Sequence, residues 1–223
     1  MTRLALAASL IMATATLKLQ PHDRALVLGI TGAGKSYYAM HNIVKPAPRV
    51  VVFDPHGEYA DACDLDEVSL GELLEEPALL TYADVRLAVV PDEWDEPREL
   101  AEALKDLSRV LKRTAVDERD PKAPVTLLVI EECGVMRPYA DGTLAMLATQ
   151  ARHWKMPLVL VAQRAVQIPP NARDQASRIV TFRQKSADDV DALAARIGEA
   201  KAARVPLLPR RKFVSWHESE DFA

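Results

Sequence analysis

The segment GITGAGKS at residues 29–36 decides the fold of this chain, because it matches the pattern GxxxxGK[ST]. It follows an apolar run at residues 25–29 and opens a helical pattern at residues 35–44, so it joins a strand to a helix as the motif requires. Its glycines let the backbone wrap until successive N–H groups face inward, and the helix N-terminus adds positive potential. The segment therefore predicts a phosphate-binding loop, and the alternative is a glycine-rich turn that ends in Lys-Ser by coincidence.

The residue types in this loop indicate a nucleoside triphosphate together with a magnesium ion. Lys35 supplies a mobile cation for the β- and γ-phosphates, and Ser36 supplies a hydroxyl for the metal. We therefore expect ATP and Mg2+ to be the cofactors. The residues predicted to bind ATP are Gly29, Thr31, Gly32, Ala33, Gly34, Lys35, Ser36 and Tyr37.

Short apolar runs alternate with helix-period segments along the chain, which is typical of a mainly parallel sheet with helices on both faces. Core strands are predicted at residues 25–29, 49–53, 125–130, 158–162 and 178–183. Helices are predicted at residues 35–44, 97–114, 143–154 and 187–197. A further strand at residues 85–90 is expected at an edge of the sheet. The predicted fold class is α/β, of the P-loop NTPase type.

Two carboxylates follow the third core strand directly, at Glu131 and Glu132. The carboxyl ends of strands are where open α/β sheets place their ligands, so both side chains are expected beside the phosphate loop. We predict that Glu131 binds the metal and that Glu132 is the base that polarises a water for attack on the γ-phosphate. Which carboxylate serves the metal stays open, and an ordinary solvated acidic pair at a strand end is the alternative.

Gln163 and Arg164 follow the fourth core strand. Gln163 is expected at the same sheet edge, where its amide can sense a γ-phosphate or orient water. A polar residue that merely closes the strand is the other interpretation.

Length and composition favour an intracellular protein with one domain. The chain has 223 residues, a formal net charge of −4 and a hydrophobic fraction of 49%, which disfavours both disorder and a globally basic nucleic-acid binder. Cys63 and Cys133 lack CxxC spacing, which argues against a zinc site or a disulfide framework. Residues 1–12 form a short apolar segment of uncertain role, read as a signal-peptide core, a membrane-contacting helix or simply a stretch before the true start. Residues 13–223 are predicted to be a single ATPase domain, with an edge strand at residues 14–19.

Taken together, the motifs resemble the HerA/FtsK superfamily of DNA-pumping ATPases. The resemblance covers roughly residues 19–217, and in length and layout it is most similar to the genome-packaging ATPases of tailless icosahedral viruses with internal membranes. The motifs that carry it are GITGAGKS, DPHGEY at residues 54–59, Glu131-Glu132, Arg152-His153 and Gln163-Arg164.

This resemblance implies a RecA-like core with strand order 5-1-4-3-2 and a ring, expected to be a hexamer, that drives double-stranded DNA by ATP hydrolysis. It also implies an arginine that reaches the neighbouring subunit's γ-phosphate, for which Arg152 is the first candidate and Arg164 the second. A surface arginine at a helix end is the alternative for each. Glu131 departs from the family, which usually has Asp there, and the absence of large additional domains favours a compact viral motor.

Further partners and places are implied by the same resemblance. The chain is expected in the host cytoplasm or at the packaging vertex of a virion rather than outside the cell, with capsid-vertex or membrane proteins as further partners. Within the DPHGEY motif, His56 and Glu58 could couple the nucleotide state to DNA. The candidate DNA contacts are residues 139–143 and the basic residues Arg204, Arg210, Arg211 and Lys212; an ordinary solvated surface is the alternative for these basic residues.

Other functions stay open on the sequence. A filamentous-phage assembly ATPase of the Zot type shares the Arg-His and Gln arrangement but acts at the inner membrane. A small-molecule kinase or a nucleotide-binding switch also uses a phosphate loop. The adjacent glutamates fit water activation better than a kinase reaction, and a turnover assay with and without DNA would separate the switch from a motor.

Overall fold

The computed structural model describes residues 18–117 and 119–219 and contains one sheet of eight strands. The sheet order is β3-β4-β2-β5-β6-β1-β7-β8. The five predicted core strands correspond to β1, β2, β5, β6 and β7, so the implied core order 5-1-4-3-2 is confirmed. The strands are β1 Arg24–Leu28, β2 Val50–Phe53, β3 Asp66–Ser69, β4 Arg86–Val90, β5 Leu127–Ile130, β6 Leu158–Ala162, β7 Arg178–Thr181 and β8 Val214–His217.

Helices cover both faces of this sheet, as the predicted α/β class requires. Every residue of β1, β2, β5 and β6 is buried, because helices exclude water from both faces of the central strands. The longest helix, α4, packs the apolar stripe of Leu100, Leu104, Leu107 and Leu111 into the core. The helices are α1 Lys35–Tyr38, α2 Ala60–Cys63, α3 Leu70–Glu75, α4 Pro97–Arg113, α5 Asp141–Gln150, α6 Pro170–Asp174, α7 Ala187–Ile197 and α8 Glu199–Ala202.

Two predicted helices change their winding before they end. The helix expected at residues 35–44 is α-helical only over Lys35–Tyr38 and continues as a wider π-helix over Ala39–Val44. The helix expected at residues 143–154 begins two residues earlier, at Asp141, and tightens to a 3-10 turn over Ala151–Trp154. Helical periodicity sets the apolar face of a segment but does not distinguish these related windings.

The expectation that residues 85–90 form an edge strand was wrong. β4 lies inside the sheet between β2 and β3, and it pairs in parallel with both. The edge is β3, whose sequence Asp-Glu-Val-Ser buries only Val68 fully. A strand with so few apolar residues gives no apolar run, which is why the sequence did not indicate it. At the other edge, β8 is antiparallel to β7.

Interpretations of the N-terminal segment at residues 1–12, and most of the strand expected at residues 14–19, lie outside the described residues. The single domain over residues 13–223 stays a prediction. Within residues 18–117 and 119–219, no helix combines the length and the apolar character that a membrane crossing needs.

Candidate active site

The phosphate loop adopts a backbone that only glycine accommodates easily. Gly29, Gly32 and Gly34 have φ angles of 154°, 72° and 114°. A Cβ on Gly29 would also lie 2.6 Å from the Cβ of Phe182. The spacing of the glycines in GITGAGKS therefore follows from the path of the chain, which turns sharply out of β1 and into α1.

Neighbouring strands hold the start of this loop in place. The N–H of Gly29 donates to the carbonyl of Ala162 at the end of β6, over 3.3 Å. The N–H of Ile30 donates to the carbonyl of Arg183, just after β7, over 3.1 Å. Because β6 and β7 flank β1, the start of the loop is fixed from both sides. Within the loop, the Ala33 N–H donates to the Ile30 carbonyl over 3.1 Å and closes a tight turn.

Lys35 connects the phosphate loop to the acidic pair electrostatically. Its side chain is buried, and burial lowers the pKa of its ammonium group, while the negative charges of Glu132 and then Glu131 oppose that shift. The two predicted clusters, separated by almost a hundred positions in the sequence, thus lie close enough to interact. This is the arrangement that a site for triphosphate cleavage needs.

Glu131 is buried and oriented by two donors. The Tyr59 hydroxyl donates to its Oε1, and the Glu132 N–H donates to its Oε2 over 3.2 Å. Burial is the main cause that raises the pKa of Glu131, and these two hydrogen bonds oppose the rise. Tyr59 is itself fixed, because its N–H donates over 2.8 Å to the buried carboxylate of Asp54. The DPHGEY segment therefore supplies a support for Glu131 that the sequence did not indicate.

The residues predicted to hold magnesium offer a donor set that suits this ion. The Ser36 hydroxyl and the Glu131 carboxylate are hard oxygen ligands, and each Glu131 oxygen accepts one hydrogen bond and keeps a lone pair. Among residues 18–117 and 119–219, no group of three or more His, Cys, Asp or Glu side chains could enclose a metal by itself. Such a site fits magnesium that is shared with substrate phosphates and water.

Glu132 and Gln163 both lie at the carboxyl edge of the sheet. Glu132 is half-buried and has a φ of 51°, a left-handed conformation that is uncommon for a residue other than glycine and that often marks a functional position. Gln163 directly follows β6, and its backbone carbonyl accepts from the Gln184 side chain over 3.1 Å. The predicted base and the predicted sensor therefore come from adjacent strands, β5 and β6.

Residues 56–58 in the middle of the DPHGEY segment lie on the surface. His56 and Glu58 are exposed, and the ring of His56 lies 5.9 Å from the ring of Trp94. The Trp94 indole in turn donates to the carbonyl of Pro55 over 3.3 Å. These contacts place His56 near the start of α4 rather than against the phosphate loop.

The second arginine-finger candidate, Arg164, is engaged within its own chain. Its Nε donates over 2.9 Å to the Asp189 carboxylate, whose side chain is only 2% exposed. The N–H of Val166 donates to the other oxygen of Asp189 over 3.1 Å. The contact ties the segment after β6 to α7, so the structure gives Arg164 a role inside its subunit.

The first candidate, Arg152, lies at the N-terminal ends of the parallel strands, whereas the phosphate loop lies at their C-terminal ends. It belongs to the 3-10 turn that precedes β6, whereas the loop follows the far end of the parallel strand β1. The strands alone separate those edges by about 13 Å at about 3.3 Å per residue. Arg152 is exposed and shares its surface with other basic side chains, so it faces away from its own nucleotide site. Arg152 lines a shallow surface depression together with four other basic residues, namely His22, Arg119, His153 and Lys155.

A turn near the C-terminal end packs directly on the phosphate loop. The Arg211 N–H donates to the Ala33 carbonyl over 3.1 Å, and Arg210 Nε donates to the Gly32 carbonyl over 3.3 Å. A cavity of about 330 Å3 lies between this turn, the loop and Arg183. The sequence did not indicate this contact, because a run of basic residues does not show which distant loop it folds against.

The fold and this site define a P-loop nucleotide-binding protein in which two carboxylates, Glu131 and Glu132, act electrostatically on the lysine of the phosphate loop. Residues 19–120 match the family model described as the central domain of the helicase HerA. The resemblance to the HerA/FtsK superfamily, first drawn from the motifs, is confirmed by this match. A search of the curated proteins finds no significant match.

Solved structures share the fold over most of the chain. The genome packaging NTPase B204 from Sulfolobus turreted icosahedral virus 2, in complex with ATP-gammaS, superposes with a TM-score of 0.64 at 18% identity, over 91% of this chain and 95% of that chain. VirB4 of Thermoanaerobacter pseudethanolicus gives a TM-score of 0.60 at 13% identity, over 84% of each chain. The cytoplasmic domain of the Thermomonospora curvata type VII secretion ATPase EccC gives 0.53 at 16% identity, over 85% of this chain and 24% of that chain.

Proposed function

We propose that this chain is an ATP-driven double-stranded DNA translocase, of the kind that packages a viral genome, and that it hydrolyses ATP in a ring of identical subunits. The observation that carries the proposal is that the phosphate-binding loop and the pair of carboxylates follow β1 and β5, which both pair in parallel with β6, so that the charges of Glu132 and Glu131 act on the Lys35 ammonium. The structural similarity to a genome packaging NTPase over nearly the full length of both chains favours DNA as the substrate that is moved.

The chain's own groups divide the chemistry of ATP cleavage between them. The loop amides and the Lys35 ammonium hold the phosphates and stabilise the charge that develops on them. Glu132 accepts a hydrogen bond from the attacking water and orients it in line with the γ-phosphate, while Gln163 is placed to position the same water. Magnesium, held by Ser36 and Glu131 when bound, would supply charge neutralisation between the phosphates.

A ring explains the position of Arg152. This exposed arginine lies at the sheet edge opposite its own phosphate loop, so it can reach a γ-phosphate only on another subunit. In head-to-tail packing of identical subunits, one surface of each subunit contacts a different surface of the next subunit. The surface that carries Arg152 can then face the neighbouring subunit's phosphate loop. We expect Arg152 to stabilise the transition state across that interface, in a closed ring with six subunits as the expected number.

A chain with a net charge of −4 can still move DNA, because a ring multiplies the few phosphate contacts that each subunit makes. The loop that includes the exposed Tyr139 remains the candidate for such a contact. The expected surroundings are the host cytoplasm or a virion vertex, with capsid or membrane proteins as partners.

Steady-state ATP turnover, measured with and without linear double-stranded DNA at increasing salt, tests this proposal. DNA should stimulate turnover, and the stimulation should fade as salt rises, because phosphate contacts release counterions. The variant Glu132→Gln should bind ATP but fail to turn it over, and Lys35→Ala should lose binding. Glu75→Gln, an exposed glutamate at the end of α3, is the matched control and should behave like the wild type.

Two results would count against the proposal in different ways. Turnover that DNA leaves unchanged at every salt concentration would refute a DNA motor and leave an ATPase of another kind. Normal turnover by Glu132→Gln would refute the assignment of the base.

Mixed rings provide a further check on Arg152. Subunits with Arg152→Ala should regain turnover when they are mixed with Lys35→Ala subunits, because the first keep an intact phosphate loop and the second keep the arginine.

A further inference from the structure

The sheet topology gives the nucleotide site two distinct sides. The phosphate loop follows β1, and the carboxylates of Glu131 and Glu132 come from β5, on the β6 side of β1. On the other side of β1 lie β7 and β8, together with the turn at residues 209–212 that leads into β8. A triphosphate whose cleaved end faces the glutamates must therefore direct its nucleoside away from β5.

An aromatic ring is exposed at that side of the loop. Tyr37 directly follows Ser36, and its side chain is 57% exposed. One face of the ring is stacked on His41, with the ring centroids 4.0 Å apart and the planes inclined by 19°. The His41 Nδ1 also lies 2.9 Å from the Tyr37 carbonyl oxygen. These contacts hold the ring in one orientation before any ligand arrives.

A guanidinium group also lies over the Tyr37 ring. The Arg211 Cζ lies 5.7 Å from the ring centroid. The backbone of Arg211 is held beside the phosphate loop, because its N–H donates to the Ala33 carbonyl over 3.1 Å. The side chain itself is exposed, so the guanidinium can move outward while its Cα stays beside the loop.

We infer that Tyr37 and Arg211 form the subsite for the nucleobase, which stacks on the Tyr37 ring with the Arg211 guanidinium closing on its outer face. The inference rests on the proposed function, namely that the phosphate loop binds ATP. Both groups are planar and have electron distributions that favour stacking with a purine base, and neither carries a hydrogen-bonding pattern specific to one base. The subsite therefore adds affinity for purine nucleotides with little discrimination among them.

Calorimetric titration of the full chain with ATP and, separately, with inorganic tripolyphosphate tests this subsite, with Mg2+ present in both. Tyr37→Ala and Arg211→Ala should each weaken ATP binding by about 5-fold to 100-fold, the range that alanine substitution gives for base stacking. Binding of tripolyphosphate, which has no base, should stay at the wild-type level. Tyr37→Phe should keep ATP affinity, and Arg211→Lys should lose part of it because an ammonium group lacks the planar face.

Matched controls remove a similar side chain elsewhere. Tyr82→Ala deletes another exposed tyrosine, and Arg113→Ala deletes an exposed arginine at the end of α4; both should bind the two ligands like the wild type. Unchanged ATP affinity in Tyr37→Ala and Arg211→Ala would overturn the subsite, as would an equal loss for ATP and tripolyphosphate. A wild-type chain that binds neither ligand would overturn the proposed function itself.

Discussion

Replacing Arg164 by alanine should destabilise the fold, because this arginine neutralises a buried carboxylate in its own subunit. The Asp189 side chain is 2% exposed and accepts from Arg164 Nε at 2.9 Å and from the Val166 N–H. A hydrogen bond to a charged group is worth about 1.5–3 kcal/mol. The Arg164 side chain is 43% exposed, so solvent screening reduces the figure and we expect a loss of about 1–2 kcal/mol.

Urea unfolding of the wild type, Arg164→Ala, Asp189→Asn and the double variant measures this interaction as a thermodynamic cycle. The double variant should be more stable than Arg164→Ala, because asparagine removes the unpaired buried charge and can still accept from Val166. ATP turnover of Arg164→Ala should fall in proportion to the fraction of protein that unfolds. Any further loss should come only from a shift of the segment after β6.

The reasoning would be refuted by the opposite pattern. If Arg164→Ala unfolds at the wild-type urea concentration while its turnover drops by about a thousandfold, the loss expected for an arginine finger, then Arg164 acts on a phosphate and the contact with Asp189 is incidental. The result would also argue against the proposal that Arg152 acts on the nucleotide of a neighbouring subunit.

Three further predictions follow from local geometry, and urea unfolding measures each of them. Burial first and the charge of Arg152 second lower the pKa of Arg24 to about 10, so the charge that Arg24 carries below pH 10 costs stability in the folded state. Arg152→Gln should remove part of that cost and stabilise the fold by up to about 0.5 kcal/mol at pH 7 while it reduces turnover, and the gain should fade as Arg24 loses its proton above pH 10. Gly29→Ala should cost about 1–3 kcal/mol and abolish ATP binding, because the new Cβ would lie 2.6 Å from another side chain. Gly142→Ala, in α5, meets nothing within 4 Å and should add about 0.5–1 kcal/mol.

The sequence predicted the centre of the fold because each central strand is buried on both faces. Such strands must be continuous runs of Val, Leu and Ile, and β6, at Leu158–Ala162, was predicted to the residue. The phosphate loop and the acidic pair were also visible, because each is a short segment whose neighbours along the chain decide its meaning.

The edges of the sheet could not be predicted in the same way. β3 buries only Val68 fully, and β8 alternates buried and exposed residues over just four positions. Each is defined as a strand by the partner it pairs with rather than by its own composition. The same holds for the turn at residues 209–212, whose contact with the phosphate loop joins segments almost two hundred positions apart.

Arg152 and Arg164 show how topology decides a role that a motif leaves open. Both arginines flank β6, one before the strand and one after it, and both are plausible fingers by residue type. A parallel strand carries its two ends to opposite edges of the sheet, so only Arg164 lies at the edge of its own phosphate loop, and there it is paired with Asp189. Arg152 lies at the opposite ends of the strands, away from its own phosphate loop, where the proposed ring would bring a neighbouring subunit.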